Sequence, residues 1–570
     1  MVIFVCGPHN CGKTTVARWL VGHNFLHIET GEIVRREYAR SGTSDSFQSW
    51  AEKCNKEYPH YFDDLIAWSI RNYYDQKESL QFQDIVVTGN RQKDGIEYIA
   101  ERCKDFGSKG IIVYLEANPE ILFARHSRRM DRRLEENTYE YFVSEYLGFD
   151  DKMGLRQIKS IADFIVNAEK SKEHVRADIR KIFIMNGYRF EGNDLSKEIM
   201  GKITIPCHWN KQVIEEILSN DAPEGMPVAE VYGALALGGP IGHGRSSEAV
   251  VQVSKDAALE YREFIRSKNI SFTYLLNAPF NFDKQVDQQK LDEYLHWVLN
   301  DLQPDAVTIA SHELMRYVRD IDAKIPIHIS TIAGIKNAED LAKYLDVSPS
   351  RIVPHHDSGK NFSELRDLVQ FGRQNNVETE MLVTESCLRR CPNREAHYAY
   401  LAQQSKDKPF HTTCNADKIK NPAEFLLAGG ITRPEDTEFF ENMGVEYFKI
   451  SGRSKPAEWL PEVVSAYQRR NYDGNLIRLL GIDPALRAEE WVYINNKSLD
   501  GYLQLFPQTG SNEDERKYAE EWIAKLYQQG DFKLMDGSEY KVVEGRLELK
   551  RGGENAEPLI NRELKNPKRW

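Results

Sequence analysis

Strand-like and helix-like segments alternate through residues 200–480, and this alternation limits the possible folds more than any other feature of the chain. Helical patterns such as Ser254–Ser267, Gln288–Leu302 and Asn361–Gln374 separate short apolar runs. The runs with a strand pattern are Lys202–Pro206, Val228–Leu235, Ser271–Asn277, Ala306–Ala310, Ile325–Ser330, Arg351–His355, Glu378–Thr384 and Glu446–Ile450. Eight strand–helix units of this kind predict a (β/α)8 barrel, with a doubly wound open sheet as the alternative.

The composition is that of a multidomain globular protein. A length of 570 residues predicts two or three domains, and 41% hydrophobic residues is ordinary for packed domains. No run approaches the ~18 apolar residues of a membrane helix, and the chain enters a strand without a targeting peptide, so we expect a cytoplasmic protein without a membrane partner. The net charge of −12 argues against a broad basic surface for duplex nucleic acid, although it allows a local basic pocket for a nucleotide.

The start of the chain contains the phosphate-binding motif G-x4-G-K-T between a strand and a helix. Val2–Cys6 has the pattern of a short buried strand, and the residues from Val16 onward have a helical pattern. Glycines let backbone N–H groups turn toward phosphates, and the helix that follows begins with the positive end of its dipole. We therefore expect ATP and Mg²⁺ here, with Lys13 on the β- and γ-phosphates and the Thr14 hydroxyl on the metal. The predicted nucleotide-binding residues are Gly7, Asn10, Gly12, Lys13, Thr14 and Thr15.

Three further segments resemble nucleoside monophosphate kinases. Thr30–Arg35 is similar to the acceptor-binding T-G-D-L-L-R segment of adenylate kinases, although an ordinary amphipathic helix with Thr30 as its cap is the alternative. Ile85–Arg91 is similar to the D-G-x-P-R segment, with a closer likeness to dephospho-coenzyme A kinases. Ile161–Asn167 matches the late A-D-x-x-I-x-N strand. The resemblance covers nearly all of this domain and implies phosphate transfer from ATP to a nucleotide-like acceptor.

The resemblance also implies roles for individual residues. Four arginines, at 128, 129, 132 and 133, stand where such kinases carry lid arginines, and a solvated helix face is the alternative. Guanidinium groups suit phosphoryl transfer because the reaction depends on positioning and charge neutralisation. The predicted catalytic residues are Lys13, Arg91, Arg128 and Arg132, and the predicted acceptor-binding residues are Thr30, Arg35 and Arg91. One departure is Thr88, which replaces an Asp that in the family helps to organise Mg²⁺ and its waters.

Four cysteines in the second half predict a metal centre. Cys387 and Cys391 lie four residues apart, and Cys414 follows 23 residues after Cys391. In a barrel, Cys207 comes directly after the first strand and the Cys387–Cys391 pair follows the seventh, so all four cysteines would meet at the C-terminal rim. Thiolates select an iron–sulfur cluster or zinc, and the spacing does not decide between these two.

Two other interpretations of the cysteines stay open from the residues alone. In the first interpretation the cysteines are small buried hydrophobic residues. This suits Cys6, which lies in an apolar strand, but it suits Cys387 and Cys391 poorly because arginines surround them. In the second interpretation the cysteines form disulfides. The lack of a signal peptide disfavours this, because it indicates a reducing compartment.

Several segments of this half resemble the peptidase U32 family, also called collagenase-like. They are Glu230–Leu235, Tyr274–Pro279, Glu380–Val383, Cys387–Pro392, Phe448–Arg453 and Tyr493–Gly501, within a resemblance that runs from about 203 to 505. The family includes cysteine-ligated iron–sulfur proteins, some implicated in oxygen-independent hydroxylation of ubiquinone precursors or of pyrimidines in RNA. The resemblance implies an iron–sulfur cluster of the 4Fe–4S type on Cys387, Cys391 and Cys414, whereas Cys207 as fourth ligand is our inference from barrel geometry.

Polar residues at the same predicted rim are candidates for substrate binding. They are Arg245, Asn277, His312, His356, Glu385, Arg394, His397, Lys449 and Arg453. We expect Asn277, Lys449 and Arg453 to bind substrate, since the two cations suit an anionic one. His208, beside Cys207, is a candidate for supporting a metal ligand, although a single histidine is more often structural.

The predicted organisation is an α/β protein in three parts. Residues 1–190 form a P-loop kinase-like domain with a parallel sheet, residues 200–505 form a U32-like (β/α)8 barrel with the cysteine cluster, and residues 506–570 form a small α+β extension. In the extension, Glu513–Gln529 has a helical pattern, and Phe532–Lys550 has the pattern of short strands around Asp536-Gly537 and Glu544-Gly545 turns. We find no pattern of catalytic or ligand-binding residues in this last part.

Together these features predict a bifunctional cytosolic enzyme. The first half phosphorylates a nucleotide-like small molecule, and the barrel modifies a related small molecule or a nucleobase, with tRNA as a candidate substrate, through iron–sulfur chemistry such as hydroxylation. The alternatives are a U32-type protease with a regulatory nucleotide-binding domain and a non-catalytic nucleotide or redox sensor. The protease has less support because no convincing Ser/His/Asp or Cys/His set is present.

Overall fold

The chain forms two compact units, Met1–Lys197 with Leu503–Leu505, and Glu198–Tyr502 with Phe506–Trp570. The computed structural model describes residues 1–21, 23, 25–43, 45–76, 84–127, 138–170, 172–185, 201–219, 225–236, 239–245, 250–279, 287–402, 414, 417–418, 421–482, 492–503, 505–507, 511–535 and 537–551. Among these residues, no helix combines the length and the apolar character that crossing a membrane requires.

A five-stranded parallel sheet forms the centre of the first unit, with the strand order β2-β3-β1-β4-β5. The strands are β1 (Val2–Cys6), β2 (Phe25–Glu29), β3 (Asp84–Thr88), β4 (Gly110–Glu116) and β5 (Phe164–Asn167). The helices are α1 (Lys13–Val21), α2 (Thr30–Ser41), α3 (Phe47–Glu57), α4 (Tyr61–Asp75), α5 (Lys93–Arg102), α6 (Pro119–Ser127), α7 (Tyr139–Tyr141), α8 (Gly148–Lys152), α9 (Leu155–Lys159) and α10 (Lys172–Met185), with a π-helical turn at Phe142–Leu147.

Side chains of β1 alternate between two apolar layers, one on each face of the sheet. Ile3 and Val5 belong to one layer, and Phe4 and Cys6 belong to the other. Burial on both faces is typical of parallel sheets covered by helices. Cys6 is a fully buried thiol, and burial raises its pKa to about 12, which fits the small hydrophobic residue that its strand predicts.

Eight parallel strands close into a barrel in the second unit, which confirms the predicted fold and excludes the open sheet. The strands are β6 (Lys202–Pro206), β7 (Val228–Gly233), β8 (Ser271–Leu276), β9 (Ala306–Ile309), β10 (Ile327–Ile329), β11 (Arg351–Ile352), β12 (Glu378–Leu382) and β13 (Tyr447–Lys449). Each strand pairs with its neighbours in chain order, and β13 pairs with β6 to close the ring. Every strand lies within a predicted run, and most end one or more residues earlier.

Helices connect the barrel strands, and one of them is irregular. They are α11 (Lys211–Ser219), α12 (Lys255–Ser267), α13 (Gln288–His296), α14 (His312–Ile321), α15 (Ala338–Ala342), α16 (Phe362–Gln374), α17 (Arg394–Ala402), α18 (Ala423–Leu427), α19 (Thr437–Met443) and α20 (Leu460–Arg469). Ser254 caps α12 by accepting a hydrogen bond from the Ala257 N–H. The predicted helix Gln288–Leu302 is α13 followed by a π-helical segment, Trp297–Leu302.

Strand register shows which side chains face the interior of the barrel. Thr204 pairs with Glu230, and Pro206 pairs with Tyr232, whose ring lines the cavity at the barrel mouth. Since paired residues share a face and successive residues alternate, Ile203 and Ile205 face the surrounding helices. The interior therefore carries polar side chains beneath the mouth.

The C-terminal residues belong to the same compact unit as the barrel. β14 (Val492–Ile494) pairs antiparallel with β15 (Phe532–Leu534), and β16 (Glu539–Val543) forms a hairpin with β17 (Arg546–Arg551) around the predicted Glu544-Gly545 turn. The helix α21 (Asn512–Gln529) begins with a capping box between Ser511 and Asp514. Asp536, of the other predicted turn, lies outside the described residues.

Candidate functional sites

The phosphate-binding loop joins the end of β1 to the start of α1. Gly7 has a φ of 143°, and a Cβ there would lie 2.4 Å from the Leu115 carbonyl oxygen, so the position requires glycine. The Lys13 ammonium donates to the carbonyl oxygens of Gly7 and Pro8, at 2.8 Å each. Lys13 therefore spans the loop, and Thr14 is exposed beside it at the first turn of the helix.

Residues from β5 and α6 brace the same loop. The predicted Asn10 lies 3.3 Å, amide nitrogen to ring Nδ1, from His126. Arg125 donates to the Ala168 carbonyl oxygen at 2.6 Å, and its other terminal nitrogen lies 3.5 Å from the Asn10 and Cys11 carbonyl oxygens. Arg125 is thus a support of the loop that sequence analysis missed. The predicted Gly12 and Thr15 flank Lys13 and Thr14 in sequence, at the entry to α1.

A buried carboxylate that sequence analysis also missed lies against the loop. Asp150 Oδ2 accepts hydrogen bonds from the backbone N–H and ring Nδ1 of His9, at 2.8 Å each. The Arg91 guanidinium lies 3.7 Å from Asp150 Oδ1 and 3.2 Å from His9 Nε2, and it packs over the Phe149 ring. Asp150 and His9 therefore hold Arg91, a predicted catalytic residue, beside the phosphate-binding loop.

Thr88 contacts a carboxylate from the neighbouring strand. The Thr88 hydroxyl donates to Glu29 Oε2 and lies 2.8 Å from His27 Nε2. Glu29 and Thr88 pair in register as the last residues of β2 and β3. The C-terminal edge of the sheet therefore carries an acidic group although Thr88 replaces the expected Asp.

The predicted acceptor-binding residues of α2 lie in different environments. Thr30 is buried at the first residue of the helix, and its hydroxyl faces Gly89 at the end of β3. Arg35 is exposed on the same helix. Arg128 and Arg132 lie outside the described residues, so their predicted lid role stays a prediction.

The C-terminal mouth of the barrel contains a cavity of about 80 Å³. Its lining includes strand-end residues such as Tyr232, Thr308 and Lys449. Seven predicted rim residues also line it, namely Arg245, Asn277, His356, Glu385, His397, Lys449 and Arg453. These predicted residues therefore make up much of the polar wall of the cavity.

Two predicted rim residues have other partners. His312 Nε2 lies 2.8 Å from Asp346 Oδ1, at the first residue of α14. Arg394 pairs with Asp357 at 3.2 Å and with His355 Nε2 at 2.9 Å. Both contacts stabilise loops, and neither residue lines the cavity.

A carboxylate links a thiol to an arginine at the cavity wall. Arg245 donates to Glu385 Oε2 at 3.0 Å, and the Cys387 thiol lies 3.6 Å from Glu385 Oε1. Burial and the charge of Glu385 raise the pKa of the Cys387 thiol. Without a further cation or a metal, Cys387 is therefore a protonated thiol at neutral pH.

Two cations of the cavity wall differ in their charge balance. Lys449 lies 3.3 Å from Glu380 Oε2 and above the Tyr232 ring, so its charge is compensated. Arg453 donates to the His243 carbonyl oxygen at 2.6 Å and lies 3.3 Å from His243 Nδ1. Among the described residues no carboxylate pairs with Arg453, and burial together with nearby Arg245 lowers its pKa to about 10. A buried cation without a counter-charge favours an anionic ligand.

The four predicted metal ligands do not share one environment. Cys387 and Cys414 are close enough for the Cys414 charge to raise the Cys387 pKa, and Cys391 lies in the same short loop as Cys387. The Cys207 thiol instead contacts the Tyr261 hydroxyl, and burial raises its pKa to about 12. This placement does not support Cys207 as the fourth ligand. The predicted support residue His208 lies 3.0 Å from the Gly452 carbonyl oxygen.

The donor chemistry of Cys387, Cys391 and Cys414 fits an iron–sulfur cluster, because thiolates are its usual ligands. The proximity of Cys387 and Cys414 fits as well. Within the described ranges, however, no group of three or more His, Cys, Asp and Glu side chains is arranged to hold a metal ion. The three-cysteine set is therefore a proposal that rests on donor type and on one close pair.

The C-terminal helix fixes the loop between Cys387 and Cys391. Glu515 of α21 forms a bidentate pair with Arg389, at 2.8 and 2.9 Å, and a further bond with Arg390 at 2.7 Å. Arg389 and Glu515 are both buried. Sequence analysis predicted no functional residues in the C-terminal part, but this helix positions the loop that carries Cys387 and Cys391.

Comparison with known proteins finds a matching family model within each unit. Residues 250–474 match the family model of peptidase family U32. Residues 6–141 match a family model described as an AAA domain, which has the P-loop kinase-like fold that the motif predicted.

Two curated proteins and one solved structure are among those similar to part of this chain. An uncharacterized protease of Methanocaldococcus jannaschii is 25% identical over 43% of this chain and 73% of its own length. A protein of Helicobacter pylori named tRNA hydroxylation protein P is 22% identical over 50% of this chain and 69% of its own length. The structure of a U32 peptidase covers 46% of this chain and 95% of that chain, with 14% identity and a TM-score of 0.32.

Proposed function

We propose that the first unit is an ATP-dependent phosphotransferase whose acceptor is a nucleotide-like molecule. The observation that carries this proposal is the arrangement of Lys13, Thr14 and Arg91 around one phosphate-binding loop at the C-terminal edge of a parallel sheet. Ligands of open α/β sheets bind at this edge.

Each of these groups has a distinct task in phosphoryl transfer. Lys13 releases the loop carbonyl oxygens when phosphate arrives and neutralises charge on the β- and γ-phosphates. Arg91, held by Asp150 and His9, binds phosphate oxygens of the acceptor. Mg²⁺, when bound with ATP, would neutralise phosphate charge, and the exposed Thr14 hydroxyl is the direct protein ligand that the motif supplies.

Lys13→Met tests this function in the full-length chain, with Lys104→Met as a matched control because Lys104 is an exposed lysine paired with Glu101. Phosphate transfer from labelled ATP is measured over a panel of nucleoside monophosphates and related phosphorylated nucleosides. We expect Lys13→Met to lose transfer by at least about 100-fold, since a positioned charge on the transferring phosphate is among the larger catalytic effects. Unchanged turnover in Lys13→Met would contradict the assignment.

We further propose that the barrel mouth binds a small anionic molecule or a nucleobase and modifies it by iron–sulfur chemistry, with Cys387, Cys391 and Cys414 as the thiolate ligands. The supporting observation is that Cys387 lines the same cavity as Arg245 and Arg453. An iron–sulfur cluster would supply electron transfer or a Lewis acid at that wall. Arg453 binds an anionic group of the substrate, and Asn277 orients its polar edge by hydrogen bonds.

One of the relatives is named for tRNA hydroxylation, and this supports a nucleobase, with tRNA as a candidate substrate and hydroxylation as a candidate reaction. A cavity of about 80 Å³ admits a single ring and not a polymer, so a polynucleotide substrate would insert one base. The test is loss of a modified nucleoside from the tRNA of cells that lack the gene, with restoration by the wild-type chain and no restoration by Cys387→Ala.

A cysteine protease is the main rival, and the environment of Cys387 speaks against it. A nucleophilic cysteine needs a lowered pKa, which a neighbouring imidazolium or cation provides. The Cys387 thiol instead faces the Glu385 carboxylate, and its pKa is raised. Cleavage of casein by the pure protein, with loss in Cys387→Ala, would reverse this choice.

A further inference from the structure

The last residues of β2 and β3 form an acidic site that no residue motif predicted. Glu29 pairs in register with Thr88, and Thr88 pairs in register with Val5 of β1, two residues before Gly7 of the phosphate-binding loop. Both side chains therefore end at the edge of the sheet from which the loop emerges.

Hydrogen bonds orient the Glu29 carboxylate. Thr88 is buried, and its hydroxyl donates to Glu29 Oε2 and lies 2.8 Å from His27 Nε2. The hydroxyl can donate to the carboxylate only if it accepts from the imidazole, so the His27 proton resides on Nε2. Thr88 thus tethers one carboxylate oxygen and gives the side chain a fixed direction.

The other oxygen of Glu29 lies over a glycine. A Cβ at Gly89 would lie 2.3 Å from Glu29 Oε1 and 2.4 Å from Thr30 Oγ1, and Gly89 has a φ of 99°. Only glycine leaves room for this carboxylate. Across the part of the chain that the structure describes, no group donates a hydrogen bond to Oε1, so one oxygen of the tethered carboxylate is available to a ligand.

The spacing of the strands suits a contact through water. β2 lies two strands from β1, which is roughly 9.6 Å at the usual strand spacing. Mg²⁺ keeps several of its waters at about 2.1 Å, and a hydrogen bond from such a water adds about 2.8 Å. A hydrated ion held at Thr14 would therefore reach about half of this spacing through one of its waters, and the Glu29 side chain would reach toward it.

We propose that Glu29 holds the water shell of the Mg²⁺ that accompanies ATP, with Thr88 as the residue that positions it. P-loop enzymes pair the loop hydroxyl with an acidic residue at a strand end. Here β3 ends in Thr88, and the carboxylate comes from β2, one strand farther away, with the longer side chain of Glu. The inference rests on the proposed phosphotransferase function of this unit.

The test compares nucleotide affinity with and without metal in the full-length chain. Affinity for a slowly hydrolysed ATP analogue is measured by calorimetry in Mg²⁺ and in EDTA, and the ratio reports metal binding independently of turnover. We expect Glu29→Gln to lower this ratio by at least about 10-fold, as loss of a group that supports a metal ligand typically does, with the affinity in EDTA within twofold of wild type. Retained affinity in EDTA also shows that the variant is folded.

Two further variants sharpen the test. Glu97→Gln removes an exposed carboxylate of α5 that pairs with Lys93, and we expect no change in the ratio. The double variant Glu29→Gln with Thr88→Asp moves the carboxylate to β3. We expect the logarithm of its affinity ratio to recover at least half of the decrease that Glu29→Gln alone causes.

The outcomes separate this inference from the proposed function. If Glu29→Gln keeps the wild-type ratio while Lys13→Met loses affinity in both conditions, the role of Glu29 is refuted and the nucleotide site stands. If the wild-type chain binds no nucleotide in either condition, the phosphotransferase function fails, and the inference fails with it. If the double variant stays at the level of Glu29→Gln although its EDTA affinity is intact, a carboxylate at this edge is not what holds the metal.

Discussion

Replacing Glu515 by Gln tests whether the C-terminal helix fixes the cysteine loop. The carboxylate receives two bonds from Arg389 and one from Arg390, and Arg389 is 4% exposed. Glutamine keeps the shape of the side chain but removes its charge and turns an N–H₂ group toward the guanidinium. Breaking a buried ion pair from one side typically costs about 3–5 kcal/mol, because the remaining charge is left without a partner.

The structure places the expected cost at the lower end of that range. Arg389 also donates to the carbonyl oxygens of Asp357, at 3.0 Å, and Lys360, at 3.4 Å, so it retains some compensation when Glu515 is changed. We therefore expect a loss of about 3 kcal/mol in the free energy that holds the loop closed. This loss corresponds to an increase of about 100-fold in the population of the open loop.

Hydrogen exchange of peptides that cover residues 385–394 measures this opening directly. Arg516→Gln is the matched control on the same helix, because Arg516 is 50% exposed and its pair with Glu424 at 2.8 Å is expected to contribute at most about 1 kcal/mol. A double-mutant cycle with Arg389→Met isolates the pair itself. Exchange in Glu515→Gln that is no faster than in Arg516→Gln would refute the account of the helix as an anchor.

Three other predictions concern the remaining elements. Burial and nearby Arg453 lower the pKa of His243 to about 3, so below its unfolded-state value of 6.5 the unfolded chain binds more protons, and stability falls as the pH drops. Urea unfolding at pH 5.5 should therefore show about 1 kcal/mol less stability from this group than at pH 6.5, a loss that is absent in His243→Gln. An equal loss in the wild-type chain and in His243→Gln would contradict it. Asp150→Asn should raise the acceptor KM about 10-fold, since Arg91 loses its charged partner; an unchanged acceptor KM would contradict it. Residues 1–190 and 200–570 should each fold alone, as judged by circular dichroism and cooperative melting; two insoluble fragments would indicate a shared core.

Local patterns predicted most of the fold. The alternation of apolar runs located all eight barrel strands, because each strand needs a short apolar segment and each helix needs its own period. Strand ends were less accurate, since residues such as Leu235 and Ala310 continue the apolar pattern beyond the last residue of the strand. The π-helical segment at Trp297–Leu302 had no signal, because its residues have the same apolar spacing as an α-helix.

The residues that sequence reasoning missed act across long separations. Asp150 contacts His9 from 141 residues away, and Glu515 contacts Arg389 from 126 residues away. Neither carboxylate belongs to a local motif, so only the fold brings them to their partners. The P-loop, by contrast, is contiguous in the chain, and its geometry follows from its own glycines.

Cys207 shows that a correctly predicted fold does not by itself fix the direction of a side chain. The barrel correctly put this residue at the C-terminal end of β6, but the end of a strand has two faces. Ile203, Ile205 and Cys207 share the outward face by period-two alternation, and the thiol therefore meets Tyr261 of α12. The alternation was visible in the sequence and predicts the outward direction.

Iron and acid-labile sulfide, measured per chain after anaerobic purification, test the central claim most directly. We expect both elements, with broad absorbance near ~400 nm from thiolate-bound iron, and we expect Cys387→Ala to lose them. Cys207→Ala is the matched control and should keep both, because its thiol packs against Tyr261. A colourless wild-type protein that holds one zinc ion, or no metal, would contradict the iron–sulfur account of the barrel.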